Sequence, residues 1–407
     1  MSSANASLSG SESAELRPSL ATAATLLFVS SLTIMAATVI SPGLPAIEAH
    51  FAGTENAAFL TRLLITMPAL AIAFIAPFAG KFTDRFGRLR VLSASVLLYG
   101  LAGTSGLIAD TLYALLFGRA LLGAAVAGIV TATTALIGDL FAGPSRDRFM
   151  GLQTAFTGIG GLLFMSFGGL LAGAGWRAPF AIYGLALLIL PAVLLCLTEP
   201  RYERQDSGAS GPARVPLLAV SVLLLAAVFN SICFYLIPTQ MPFHLYALGV
   251  NSPGTVGITL GAFNLAVAAA SLGYGRLRAM VGLPGGFAVG FGVMTVSFAI
   301  IAMSSSHAAV AVGLMVGGGG LGCIMPGLAA SAMTLAPPAA RGRVAGALTA
   351  SIFLGQFLSP VVSQPLVSWI GYAGVFGLTS VFLGIAAVLA ALLELSGRSM
   401  AAKAEQG

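Results

Sequence analysis

Two arginines stand where an arginine is costly. Arg119 lies in L-L-F-G-R-A-L-L-G and Arg62 in F-L-T-R-L-L-I, both inside long apolar runs. A guanidinium stays charged at any accessible pH, and burying it in hydrocarbon costs several kcal/mol unless something meets it. The chemistry open to such a group is recognition: it can hold an anionic group or respond to a nearby proton. Arg119 sits about two turns into its helix and is expected to face a central cavity as a fixed positive charge, with snorkelling to the nearer surface as the competing reading. For Arg62, closer to a helix end, cavity-mouth binding and snorkelling carry equal weight. Arg177 reads as an interfacial anchor.

Neutral polar residues in apolar surroundings complete the candidate binding set: Gln153, Asn230, Gln240, Asn264 and Gln356, with Thr33, Thr38 and Tyr235. Asn and Gln also bridge helices, so part of this set is expected to be structural. No Asp or Glu falls in the central part of any apolar run. A shielded carboxylate is the usual means of taking up and releasing a proton, so coupling to protons or another ion is left open. His244 and His307 are expected near the ends of helices and solvated. Cys196, Cys233 and Cys323 all fall in apolar runs and read as packing residues. No nucleophile–base pair, phosphate-binding loop or metal-ligating cluster is visible, so neither an enzyme nor a metal or cofactor is expected.

The elements that must position these residues are membrane helices. From Val215 to Leu393 the only charged side chains are Arg276, Arg278, Arg341 and Arg343, and the mean hydropathy of +0.97 leaves no polar surface for a soluble core. About 20 apolar residues span a bilayer as a helix. That length predicts twelve spans: 20–42, 57–79, 91–109, 112–138, 149–173 and 179–198, then 216–240, 254–275, 284–304, 308–335, 344–369 and 373–395. With the N-terminus in the cytoplasm, 16 of the 19 basic residues lie on that side, the exceptions being Arg62, Arg119 and Arg177. The reverse orientation violates the positive-inside rule. Both termini are therefore expected in the cytoplasm, with tails at 1–19 and 396–407 and a polar linker at 199–215 joining bundles 20–198 and 216–395. The net charge of +6 is topological: the arginines are dispersed over loops and argue against a nucleic-acid partner.

The densest charge in the chain is G-K-F-T-D-R-F-G-R-L-R-V-L, from Gly80 to Leu92, wedged between two spans. It resembles the loop signature G-x-x-x-D-R-x-G-R-[KR] of the major facilitator superfamily, matched by Gly80, Asp84, Arg85, Gly87, Arg88 and Arg90. Arg119 with Gly123 resembles the fourth-helix R-x-x-x-G of that family, with Leu122 where a glutamine is common. The segment from Gly138 resembles the loop after helix four, and W-R-A-P-F from Trp176 the start of helix six. The chain also repeats itself at a shift of 195 residues: Arg146 onto Arg341, Gly80 onto Gly275, Gly87 onto Gly282 and Gly123 onto Gly318.

The resemblance implies an all-α fold of twelve transmembrane helices in two pseudo-symmetric six-helix bundles, with the substrate site between them near mid-membrane. It further implies gating by Gly80, Asp84, Arg85, Gly87, Arg88 and Asp139. In that reading Asp139 partners Arg88, and Asp84 caps the helix that starts near Arg341. The loops look nearest the drug-efflux branch, but helix five has Phe164-Met165 where drug/proton antiporters carry Gly-Pro, and the second half has Ala279-Met280 where the first has Asp84-Arg85. The expected function is secondary active transport of a small organic solute by alternating access across the inner (cytoplasmic) membrane. Efflux of an amphiphilic, anionic compound or drug leads; uptake of an organic carboxylate by symport or facilitated diffusion is the alternative. The chain is expected to work as a monomer, its partners being the solute and the bilayer. A membrane sensor would need a soluble domain or long tail, and none is visible.

Overall fold

The structure is a computed structural model and describes residues 19–141, 143–199, 216–337 and 340–404. The expected tail at 1–18 and linker at 200–215 lie outside the described residues. The described elements are helical. In the first half they are α1 (Leu20–Thr38), α2 (Leu44–His50), α3 (Ala57–Phe86), α4 (Arg88–Thr104), α5 (Leu112–Leu140), α6 (Gly143–Ala174) and α7 (Leu185–Cys196), the last preceded by a 3-10 segment, Ala178–Gly184. In the second half they are α8 (Leu217–Ala247), α9 (Pro253–Met303), α10 (His307–Leu335) and α11 (Arg341–Ala404).

Two of these helices are each two crossings. At Gly282 the backbone of α9 leaves helical geometry, with φ 73° and ψ −176°. A side chain on Gly286 would stand 3.5 Å from the ring of Tyr274, whereas twelve residues of straight helix would separate them by about 18 Å. The chain therefore doubles back. Gly371 does the same in α11, at φ 67° and ψ 177°. Counted this way, the nine long apolar helices among the described residues and the 17-residue α4 give twelve crossings. The arginine-rich helix ends around Gly87, around Gly282 and at the start of α11 share one end of the molecule, called here the basic end.

Buried apolar residues fall into two cores, one within α1–α7 and one within α8–α11, and few residues belong to the other half's core. The duplication is visible in the contacts. A Cβ on Gly123 would stand 2.4 Å from the Pro68 carbonyl oxygen, and one on Gly318 2.5 Å from that of Phe263. Both pairs are related by the 195-residue shift, so the same glycine-mediated close crossing occurs once per half. Thr111 caps α5 through the Ala114 amide at 3.1 Å, and Ser306, 195 residues on, caps α10 through the Ala309 amide at 3.3 Å. The halves meet along α3 against α11 and α6 against α9. In the second pair a Cβ on Gly169 would fall 2.3 Å from the Pro253 carbonyl, so the glycines of helix five admit a neighbouring backbone.

Several boundaries differ from expectation: α3 runs to Phe86 and α8 to Ala247, past the expected 79 and 240, and α4 and α6 start at Arg88 and Gly143, before the expected 91 and 149. The first crossing ends at Thr38 and turns through Ser41–Gly43 into α2, because Pro42 and Pro45 suit the first turn of a helix and not its interior. At the other end, α11 continues to Ala404, through the region 396–404 expected as tail.

Candidate functional site

A cavity of about 260 Å³ lies between the halves. Its wall is mostly hydrocarbon: Ile34, Ala37, Ile65, Ile72, Val126, Met165, Phe234, Phe263 and Phe353. The polar groups at its surface are few, namely Thr33, Thr38, Thr157, Tyr235, Asn264 and Gln356. Asn264 also lines a second hollow with Gln153, Thr154 and Ser271, nearer the basic end. Gln153 is positioned by a 2.8 Å bond to the Ser30 hydroxyl, which fixes its amide beside α1.

Arg119 is buried one layer behind this wall, 2% exposed. Its Nε donates to the Leu64 carbonyl at 2.9 Å, and Nη2 donates to the carbonyl of Ala36. Both acceptors are orphans of helix geometry. Leu64 would normally receive the amide four residues on, but that residue is Pro68, which has none. Ala36 is in the last turn of α1, where carbonyls lack partners and the helix dipole is negative. Arg119 thus closes a proline gap in α3 and the end of α1 at once. The Tyr183 ring lies 5.2 Å from the guanidinium carbon, and the Tyr183 hydroxyl donates to the same Ala36 carbonyl at 3.2 Å. Arg119 Nη1 has no partner among the described residues.

Two further proline gaps are closed the same way. Pro242 frees the Pro238 carbonyl, which accepts from Ser41 Oγ at 2.7 Å, and Pro326 frees the Gly322 carbonyl, which accepts from Ser271 Oγ at 3.2 Å. The first of these bonds crosses between the halves.

Arg62 is 1% exposed and makes four polar contacts at the end opposite the basic turns. Nη1 donates to Glu48 Oε2 and to the Ala58 carbonyl, each at 2.5 Å; these partners are in its own half. Nε donates to Gln240 Oε1 at 2.8 Å and Nη2 to the Tyr372 hydroxyl at 3.0 Å; these are in the other half. The guanidinium also lies 3.7 Å over the Phe243 ring. Gln240 extends the network through Nε2 to Ser363 at 2.9 Å and Gln364 at 3.2 Å. The far end is therefore fastened across the halves. Glu48 faces a vestibule of about 630 Å³ outside this fastening.

At the basic end the ion pair and the carboxylate caps each stay within one half. Arg88 pairs with Asp139 and donates to the Ala135 carbonyl at 3.2 Å. Glu199 accepts from the Arg88 and Leu89 amides at 2.6 and 2.8 Å, satisfying the open N-terminus of α4. Its counterpart 195 residues on, Glu394, accepts from the Gly285 amide at 3.3 Å just after Gly282. Each carboxylate occupies the space a side chain would take on the preceding glycine, 3.1–3.2 Å from a Cβ on Gly87 and 2.9 Å from one on Gly282. Both glycines carry positive φ, 92° and 73°.

Comparison with known proteins agrees with this architecture. The sequence model of the Major Facilitator Superfamily matches residues 26–277 and 223–406. The chain belongs to the Major Facilitator Superfamily. Among relatives, this facilitator is 27% identical to the bacillibactin exporter of Bacillus subtilis, over 80% of this chain and 85% of that one. It is likewise 27% identical to the class G tetracycline resistance protein of Vibrio anguillarum, over 86% and 93%. Solved structures with the same fold include the D-xylose–proton symporter, with TM-score 0.76 at 16% identity over 92% and 96% of the two chains. A bacterial homologue of the human lysosomal transporter Spinster, inward-facing and occupied, gives TM-score 0.75 at 19% identity over 91% and 95%.

The facilitator brings Asn264, Gln356 and Gln153 to the central hollows. Arg62 and Gln240 meet each other at the far-end fastening and are absent from the cavity wall. Asn230 is fully buried, and neither side-chain polar atom has a partner among the described residues. Asp84 and Arg85 are exposed, and Asp84 makes no hydrogen bond or ion pair among the described residues. The cap of Asp84 on α11 is therefore not made in this conformation. His244 corrects its expectation: it is buried, 5% exposed, against the rings of Phe376 and Tyr372. Arg177 pairs with Asp110 at 2.6 Å over the Trp176 ring. Glu48, Glu199 and Glu394 escaped sequence reading as site residues. The 195-residue shift would have found the last two.

Proposed function

We propose that this facilitator exports a small amphiphile by alternating access, with both termini and the basic end in the cytoplasm. The observation that carries this reading is the one-sided fastening. Arg62 and Ser41 bind the halves together at the far end, while at the basic end the Arg88–Asp139 pair and the Glu199 and Glu394 caps join, among the described residues, elements of one half each. Such a molecule takes its solute from the basic side. The positive-inside distribution puts that side in the cytoplasm, and the inner membrane is then its location. Relatives named as a bacillibactin exporter and as tetracycline and puromycin resistance proteins support the outward direction. The mainly hydrocarbon cavity suits an apolar body, with Asn264, Gln356 and Tyr235 for its polar group. Arg119 behind the Ala36 wall adds a positive field that favours an anionic or carbonyl-rich head.

Asp84, Arg88 and Asp139 would form the opposing latch when the basic end closes, Asp84 then capping the N-terminus of α11. The unit is a monomer, coupled to an ion gradient. Flux measured in inside-out and right-side-out vesicles, with and without a pH gradient, tests the proposal. Accumulation of an amphiphilic substrate in inside-out vesicles, enhanced by the gradient, is the expected result. Accumulation only in right-side-out vesicles would replace export with uptake of an organic anion.

A further inference from the structure

We propose that a groove on the outer flank of the first half, at the basic end, is a binding site for an anionic phospholipid. The groove lies between α3, α4 and α5 and holds about 440 Å³. It is lined by Phe82 and Phe86 of α3, by Arg90, Ala94 and Leu98 of α4, and by Gly128 of α5, with Arg90 and Ala94 exposed.

The shape is that of a chain-binding slot. Phe82 and Phe86 are 57% and 48% exposed, and their rings stack at 5.8 Å. They stand out from α3 as a wall beside the groove and do not pack inward. From Arg90 to Leu98 is about 12 Å along the axis of α4. The slot thus runs from the charged turn into the apolar zone, the direction in which a phospholipid runs from headgroup to acyl chain.

The charge matches an anionic headgroup. Arg90 is exposed and has no ion-pair or hydrogen-bond partner among the described residues. Its neighbour Arg88 is held by Asp139. Lys81 and Arg85 are exposed on the same turn, and Asp84 is the acid among them, so the local balance is positive. A soluble anion would meet Arg90 and leave the slot empty. A zwitterionic lipid would fill the slot and bring a cation to the arginine. An anionic phospholipid satisfies both features.

The test uses the purified full chain in mild detergent, with lipid retention read by native mass spectrometry and thermal unfolding read in parallel. Phosphatidylglycerol should be retained and should raise the unfolding midpoint, while phosphatidylcholine and inorganic phosphate should do neither. Arg90→Gln should weaken the apparent phosphatidylglycerol affinity about fivefold, the worth of one cation near an anionic lipid surface. Arg90→Lys should keep most of it. Ala94→Phe fills the slot from an exposed position and should weaken retention with Arg90 intact. Equal retention in wild type, Arg90→Gln and Ala94→Phe would overturn the site. So would equal effects of the two lipids, reproduction of the shift by phosphate alone, or a dimer mass showing that a second copy covers the groove.

Discussion

Pro68 removes the amide that would have bonded the Leu64 carbonyl, and Arg119 supplies a replacement donor from another helix. The same guanidinium ties the last turn of α1, so one side chain sets the relative positions of α1, α3 and α5. The arginine was legible in the sequence as a residue needing a reason, but its partners were not, because both are backbone atoms of segments 55 and 83 residues away. Only the proline hinted that a carbonyl would be free. Arg119→Ala should cost roughly 2 kcal/mol, since it leaves the buried Leu64 carbonyl without a donor and takes a charged donor from the Ala36 carbonyl, which keeps the Tyr183 hydroxyl. In a Pro68→Ala background the helix regains its own amide, so the same substitution should cost about 1 kcal/mol less. Unfolding of the four variants in one detergent checks this. If Arg119→Ala abolished transport while leaving the unfolding curve unchanged in both backgrounds, the arginine would act on the solute and not on the helices.

At the scale of elements, the duplication extends from helix crossings to helix caps. Glu199 and Glu394 each return from the last crossing of a half to seal the start of its third, over a glycine with positive φ. The run Gly80–Leu92 reads as a turn between two spans, whereas the break is confined to Gly87, with α3 helical to Phe86 and α4 from Arg88; Gly87 and Gly282 were readable as equivalents. Glu199 was read as the start of a polar linker because its neighbours on one side are polar. Charge alone does not say which helix end a carboxylate returns to. Glu199→Ala should destabilise by about 1 kcal/mol, the usual worth of a helix cap. Gly87→Ala should cost more, about 2 kcal/mol, because its backbone disfavours a side chain and the new Cβ would press on the carboxylate. Thermal unfolding in detergent separates the two, and a Gly87→Ala variant as stable as wild type would refute the clasp.

For the whole molecule, what matters is which contacts exist in one conformation and vanish in the other. Only such differential contacts shift a conformational equilibrium. Arg62 keeps Glu48 and the Ala58 carbonyl whichever way the halves rock, because both belong to its own half. Its bonds to Gln240 and Tyr372 exist only when the far end is closed. Twelve crossings and two halves follow from hydropathy and repeat. The fastening does not: Arg62 and Gln240 stood out as polar residues in apolar runs, but nothing in the sequence pairs residues 178 and 310 positions apart. Arg62→Ala should therefore favour the far-end-open state by tenfold or more, the equivalent of about 1.4 kcal/mol. Spin labels at Glu55→Cys and Asn251→Cys, on opposite sides of the far-end vestibule, report it by their distance distribution. A single short distance in the parent should gain a longer population in Arg62→Ala, and Gln240→Ala should give the same shift in smaller measure. Glu48→Gln leaves both cross-half bonds in place and should change the distribution least. If Arg62→Ala left the distribution as it is in the parent, the halves would be held at that end by packing alone, and the fastening would have no part in the transport cycle.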